Sequence, residues 1–308
     1  MNLEPKKLIT YTYYEIGNCN MCQAPSIQFK VLGKRLNKSQ GFKPHLLSGI
    51  TTTVMKCNNC GLIFSNPQPV PDSIADHYNV DPKKYWREEY FKIDENYFKG
   101  EIEWFKRLKP FQKNLKSLDI GAGLGKQMIA LQNVGFDSYG IEPSPSFYKM
   151  ATEKMGIDKG KLEMKSIEEA SFEDEFFDFI SFGAVFEHVY NPNEALVKAL
   201  KWLKPGGFIH IEVPNSNWLS AKIINLGYKL RRLDYVTNLS PMHSPFHLHE
   251  FTVDSFKLNG IHNNYKIEDF GYYVCPTNLP KVFDPILRPI MRKTDTGMQL
   301  CVWLKKAE

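Results

Sequence analysis

Residues 117–125, SLDIGAGLG, carry an apolar stretch into three alternating glycines, Gly121, Gly123 and Gly125, and then into a helix-like segment, 127–133. A backbone stripped of side chains at the end of a strand lets a ligand approach it closely. A second apolar stretch, 139–142, follows and ends in Glu142. A carboxylate at that strand tip can accept hydrogen bonds from both hydroxyls of a ribose. A dinucleotide turn spaces its glycines Gly-x-Gly-x-x-Gly, so that a pyrophosphate rests on the helix N-terminus. Here the third of those positions is Lys126, and an extra acid, Asp119, precedes the first glycine by two residues. That acid repels a pyrophosphate and suits a ligand with an amino group or a sulfonium.

The cysteines offer a second chemistry. Cys19-x-x-Cys22 and Cys57-x-x-Cys60 each present two thiols on one turn, and Gly61 lets the second turn bend back on itself. Two such turns close a tetrahedron around zinc. A disulfide framework needs an oxidising compartment, and a redox role needs only one such pair. Duplication in a short region therefore favours metal, and four thiolates leave no open position for catalysis. Cys275 and Cys301 stand alone in strand-like settings and read as buried structural thiols.

From the glycine turn onward the chain resembles the class I S-adenosylmethionine (SAM) methyltransferases. The resemblance extends through 165–172, through 177–182 as a fourth strand, through 186–192 (FEHVYNP) after it, and through 203–211 (LKPGGFIHI) as helix end, turn and fifth strand. It implies SAM as cofactor, held by Asp119, Gly121, Gly123, Glu142, Ser166 and Ile167. The family usually carries an acid where Ser166 stands. The order of knuckle, GLIFSNPQP, short helix and Tyr85-Trp86 is similar to zinc-ribbon methyltransferases of sugar-modification and natural-product pathways. That likeness implies Tyr85 and Trp86 as a lid over the cofactor, and a small-molecule or saccharide acceptor. Related methyltransferases often place a His four residues before the Phe-Thr that opens a late helix, which here is His247. His247 is accordingly expected to act as base facing the methyl group, with His188, beside Glu187, in support. His243 and His249 read as members of a solvated loop.

These residues need elements to position them. Strands alternate with helical patterns over 113–308, which implies an α/β, Rossmann-like parallel sheet, and 265–273 with 298–304 resemble the final antiparallel strand pair of the methyltransferase sheet. Residues 1–66 read as a small zinc-binding β unit, too short to bury much core without a metal staple. Residues 67–112 read as a helical, aromatic connection, with Asp72 capping a short helix to Tyr78. An insertion at 215–250 contains an amphipathic stretch, 218–233. Its Lys229, Arg231 and Arg232 suit the diphosphate of a nucleotide-linked sugar, although a charge run reads first as a solvated helix face.

Composition excludes little. The chain has 308 residues, 43% hydrophobic and 24% charged, with a net charge of +5. That charge neither demands a nucleic acid nor excludes an anionic small molecule. No apolar run approaches a membrane span and the N-terminus is polar, so the expectation is a cytoplasmic protein. An RNA methyltransferase gripping RNA through Lys30, Lys34, Arg35, Lys38, Lys43 and Lys56 is the first rival. A non-catalytic scaffold of the same fold is the second.

Overall fold

The computed structural model describes residues 9–35, 52–79, 92, 94–110, 112–239, 246–277 and 279–307. Tyr85, Trp86, His243, Lys38 and Lys43 lie outside them. In chain order the strands are β1 Tyr11–Tyr14, β2 Phe29–Arg35, β3 Thr53–Cys57, β4 Ile63–Asn66, β5 Gln68–Pro71, β6 Lys116–Ile120 and β7 Asp137–Ile141. They continue with β8 Leu162–Glu163, β9 Phe177–Gly183, β10 Leu203–Pro214, β11 Tyr235–Val236, β12 His249–Glu250, β13 Tyr265–Tyr273 and β14 Gln299–Lys306.

Seven strands form the main sheet in the order β13-β14-β10-β9-β6-β7-β8. The five from β8 to β10 are parallel, and β14 and β13 add antiparallel at one edge. The closing antiparallel pair is where the resemblance puts it. β9 reads FDFISFG and is buried on both faces up to its last residue, the signature of a strand covered by helices on each side. On one face Phe179 stacks on Trp303 with ring centroids 5.8 Å apart, and Phe105 of the helix Lys99–Leu108 closes over both. On the other, Phe182, Phe186, Phe251 and Phe256 form a chain of ring contacts.

The small sheet departs from the expected organisation. Its order is β11-β2-β3-β4-β12, so the insertion donates both edge strands to a sheet whose centre comes from residues 29–66. The start of the stretch expected as a helical, aromatic connection is instead β5, which pairs with β1. The short helix Ile74–Tyr78 is capped by Ser73, whose Oγ accepts from Asp76 N–H at 3.2 Å, and not by Asp72. Asp72 lies one residue too early and takes the hydroxyls of Thr10 and Thr12. No helix among the described residues is long and apolar enough to cross a membrane.

Candidate active site

A cavity of about 460 Å³ opens at the carboxyl ends of the parallel strands, where ligands bind in open α/β sheets. Gly121, Gly123, Glu142, Ser166, Ile167 and His188 all line it. The sheet brings them together through register. β6 and β7 pair Ile120 with Ile141, so the glycine turn and Glu142 leave adjacent strand ends. Glu142 then closes back on the turn: its Oε2 accepts from Gly123 N–H at 2.7 Å and its Oε1 from Ser144 N–H at 2.8 Å. Burial pushes this carboxyl up to about 7. Gly123 holds φ +56°, and a Cβ there would meet nothing nearer than Phe147 at 4.0 Å. The absence of a side chain thus leaves open room beside Glu142, as a cofactor cradle requires.

Ser166 is 4% exposed, and its Oγ has no hydrogen-bond partner although its backbone N–H is satisfied by Glu169. A buried hydroxyl left unmatched on a cavity wall is a group waiting for a ligand atom. Together with the open glycine turn and Glu142, it makes the wall fit an adenosyl group. Asp119 is placed differently from its neighbours in sequence. It is buried and is not among the residues lining the cavity; its Oδ1 accepts from Ser181 Oγ at 3.3 Å, and Ser181 in turn receives Gln127. Burial pushes Asp119 up to about 8.

The two histidines meet, with the order of the layers opposite to that expected. His188 is on the wall, while His247 is not among the lining residues and packs edge-on against His188, ring centroids 4.8 Å apart. The reason is backbone pairing: Leu248 N–H donates to Glu187 O at 2.8 Å, which sets the preceding side chain behind the His188 ring. His188 Nδ1 lies 3.1 Å from Phe246 O. A carbonyl only accepts, so Nδ1 carries the proton and Nε2 keeps the basic lone pair. Glu187 is 3% exposed, lies 3.7 Å from His247 Nε2, and is pushed up to about 8 by burial. His249, expected in a solvated loop, is instead fully buried in β12 and pushed down to about 3 by desolvation.

Three acids on the wall escape sequence reasoning, Glu168, Glu212 and Glu101. Glu212 sits near the carboxyl end of β10, beside β9 and away from Glu142, and burial lifts it to about 7. Its place at a strand's carboxyl end was a usable signal. Glu101 lies on the helix Lys99–Leu108, accepts from Tyr273 OH at 2.7 Å, and has no such signal in the chain.

The four paired cysteines converge elsewhere. Cys19 Sγ is 3.6 Å from Cys60 Sγ, Cys22 Sγ is 3.7 Å from Cys57 Sγ, and all four sulfurs lie within 4.8 Å of one another. Tetrahedral zinc with Zn–S bonds of about 2.3 Å sets its sulfurs about 3.8 Å apart, whereas a disulfide needs about 2.05 Å. The donor set and spacing fit zinc. Within this coupled cluster the mutual hydrogen bonds lower the Cys57 thiol and raise those of Cys19 and Cys60. Both knuckles are tied to the helix Val253–Asn263: Thr252 Oγ1 donates to Cys60 O at 2.5 Å and Asn259 Nδ2 to Met21 O at 2.9 Å. Gly61 holds φ +80°, as the tight second knuckle requires. Arg35, expected on an RNA-facing surface, is fully buried; its Nη2 donates to Leu239 O at 2.8 Å.

Comparison with known proteins agrees with this geometry. Residues 93–268, more than half of the chain, match a family model described as a methyltransferase domain. Ubiquinone biosynthesis O-methyltransferase of Bradyrhizobium sp. (strain ORS 278) is 30% identical over 163 residues, 48% of this chain and 63% of that protein. Phosphoethanolamine N-methyltransferase of Plasmodium falciparum is 32% identical over 129 residues, 39% of this chain and 48% of that one. Sterol 4-C-methyltransferase strm-1 of Caenorhabditis elegans is 24% identical over 192 residues, 59% of this chain and 57% of its own. The chain therefore spans less than two thirds of the length of each of these relatives. With the glycine turn, the acid bonded to it and the strand order already in place, the chain belongs to the methyltransferase-domain family.

Proposed function

We propose that the protein methylates a small-molecule or saccharide acceptor, possessing a proton that must be removed, beside a structural zinc centre. The observation that carries this reading is the wall that joins Glu142, the unmatched Ser166 hydroxyl and His188, whose Nδ1 is anchored on Phe246 O, in one cavity. SAM, when bound, supplies an electrophilic methyl group. Glu142 would hold the ribose hydroxyls while still bracing the glycine turn, and Ser166 and Ile167 would meet the adenine. Asp119 supports the turn from beneath, through Ser181 and Gln127. His188 accepts the acceptor's proton at Nε2, with Nδ1 anchored on Phe246 O and His247 and Glu187 fixing the ring from behind. Glu212 and Glu101 lie beyond β6 from Glu142, where they would bind the acceptor's polar groups. The three relatives are named for O-methylation in ubiquinone biosynthesis, sterol 4-C-methylation and phosphoethanolamine N-methylation, which supports a small acceptor and leaves its reacting atom to experiment. Zinc held by Cys19, Cys22, Cys57 and Cys60 has a closed shell and so a structural role.

The test is transfer of labelled methyl from SAM to a panel of nucleotide-linked sugars, phenols and amines, with total RNA as a parallel arm. Label entering a small acceptor, lost in His188→Ala, is the expected result. Label entering only RNA would replace this reading with the RNA-methylating one. Arg35, removed from the surface by burial, already weakens the grip that reading needs.

A further inference from the structure

Two helices leave the cavity's edge of the main sheet with their apolar stripes turned outward. The helix Leu219–Leu230 follows β10 from its carboxyl end. Ile223, Leu226 and Leu230, at spacings that share one helical face, are exposed, Leu230 by 77%, and Leu233 just past the helix end is exposed as well. The helix Asp284–Lys293 ends just before β14, and its Phe283, Ile286 and Ile290 repeat the pattern, with Ile286 62% exposed, while Met291 faces the core. The two segments meet end to end: Leu219 N–H donates to Thr296 O at 3.1 Å and Asn215 Nδ2 to Gly297 O at 2.9 Å.

Charge follows the same stripes. Residues 219–233 hold four cations and no acid, and residues 281–293 hold four cations and one acid, a net of +7 against +5 for the whole chain. The positive balance of the protein is therefore concentrated here, and the remainder is net acidic. None of these eight cations makes an ion pair among the described residues. A solvated helix face has charge without the outward leucines, and a face that docks on another protein's core does not need a run of unpaired cations. Outward apolar residues rimmed by Lys and Arg match a headgroup layer that is anionic above and apolar below.

We propose that these two helices form a docking face for an anionic lipid bilayer, lying in the interface without crossing it. Lys229, Arg231 and Arg232 would meet lipid phosphates, while Leu226 and Leu230 enter the acyl boundary. Because both segments start from the sheet edge that holds the cavity, docking brings the cavity's edge close to the membrane surface.

The test is co-flotation of the full chain with vesicles of phosphatidylcholine alone and of phosphatidylcholine with phosphatidylglycerol. The expected result is flotation with the anionic vesicles only, falling as salt is added. Leu226→Asp/Leu230→Asp and Arg231→Glu/Arg232→Glu should each reduce the partition about tenfold or more, with thermal transition and SAM affinity unchanged. Should the aspartate pair fail to fold, Leu226→Ser/Leu230→Ser carries the same comparison. Three results would overturn the proposal: no binding to anionic vesicles at low salt, equal binding to neutral vesicles, or binding indifferent to all of these variants. Sedimentation showing a dimer that Leu226→Asp/Leu230→Asp dissociates, without lipid binding, would assign the face to a second copy.

Discussion

At the scale of single residues, Glu142 has two tasks. It faces the cavity, and it also ties Gly123 and Ser144 through their N–H groups. Glu142→Ala removes a charged hydrogen-bond acceptor, worth about 1.5–3 kcal/mol per bond, and leaves those donors unpaired. SAM affinity measured by calorimetry should fall by about tenfold or more, whereas Glu142→Gln, which keeps one acceptor oxygen, should lose less. Unchanged affinity in both would remove Glu142 from the cofactor site. The histidines make a sharper pair. If the acceptor is a hydroxyl or a carbon acid, His188→Ala should reduce turnover roughly 10²–10⁴-fold with SAM affinity kept. His247→Ala should reduce it less, since that ring acts through its neighbour. Long-range proton–nitrogen NMR offers a check that needs no acceptor, because neutral His188 must appear as the Nδ1–H tautomer. The Nε2–H tautomer would leave Nε2 without a lone pair and end its candidacy as base.

Among the elements, the junction between knuckles and helix sets what a zinc bound there would do. The thiolate turns pack into the same core as Phe251 and Phe256, and Thr252 serves at once as helix cap and as donor to Cys60 O. Loss of metal should therefore spread beyond residues 1–66. Cys57→Ser is expected to lose its zinc in metal analysis and to lower the thermal transition of the whole chain. Thr252→Ala should cost about 1–2 kcal/mol by urea unfolding, from cap and hydrogen bond together, with zinc retained. A zinc-free wild-type protein with an unaltered transition would refute the structural role.

The whole molecule carries its burden of buried ionisable groups in a way that sets its pH response. Burial lifts Glu187 to about 8 from an ordinary value of 4.5, so the folded state binds that proton more tightly than the unfolded chain. Its contribution to stability is complete below pH 4.5 and is lost as pH rises through about 8. Asp119, Glu142 and Glu250 follow the same sign. His77, His210 and His249, pushed down to about 3, act oppositely, but only as pH falls below 6.5. Urea midpoints of Glu187→Gln and wild type should therefore diverge in the variant's favour between pH 5 and 9, roughly the window of that shift. Parallel curves would show that Glu187 titrates normally.

Much of this architecture could be read from order alone. The run from Asp119 to Gly125, the strand ending at Glu142 and the doubly buried β9 are local patterns, and backbone sterics and hydrophobic periodicity act locally. The Cys-x-x-Cys pairs are legible for the same reason, since each knuckle is a single turn. What only the tertiary structure decided depends on contacts between distant segments. β2 and β4 take β11 and β12 from the insertion as edge partners, which the insertion's own composition does not announce. Backbone pairing of Leu248 with Glu187 puts His188 on the cavity wall and His247 behind it, reversing the expected order. Glu101 joins the wall because its helix packs on the sheet, and Arg35 vanishes into the core because Leu239 O and the Phe246 ring, both distant in sequence, meet its guanidinium. A side chain's type and its nearest neighbours are written in the chain; which face it turns to a ligand is settled only when long-range packing has chosen the strand beside it.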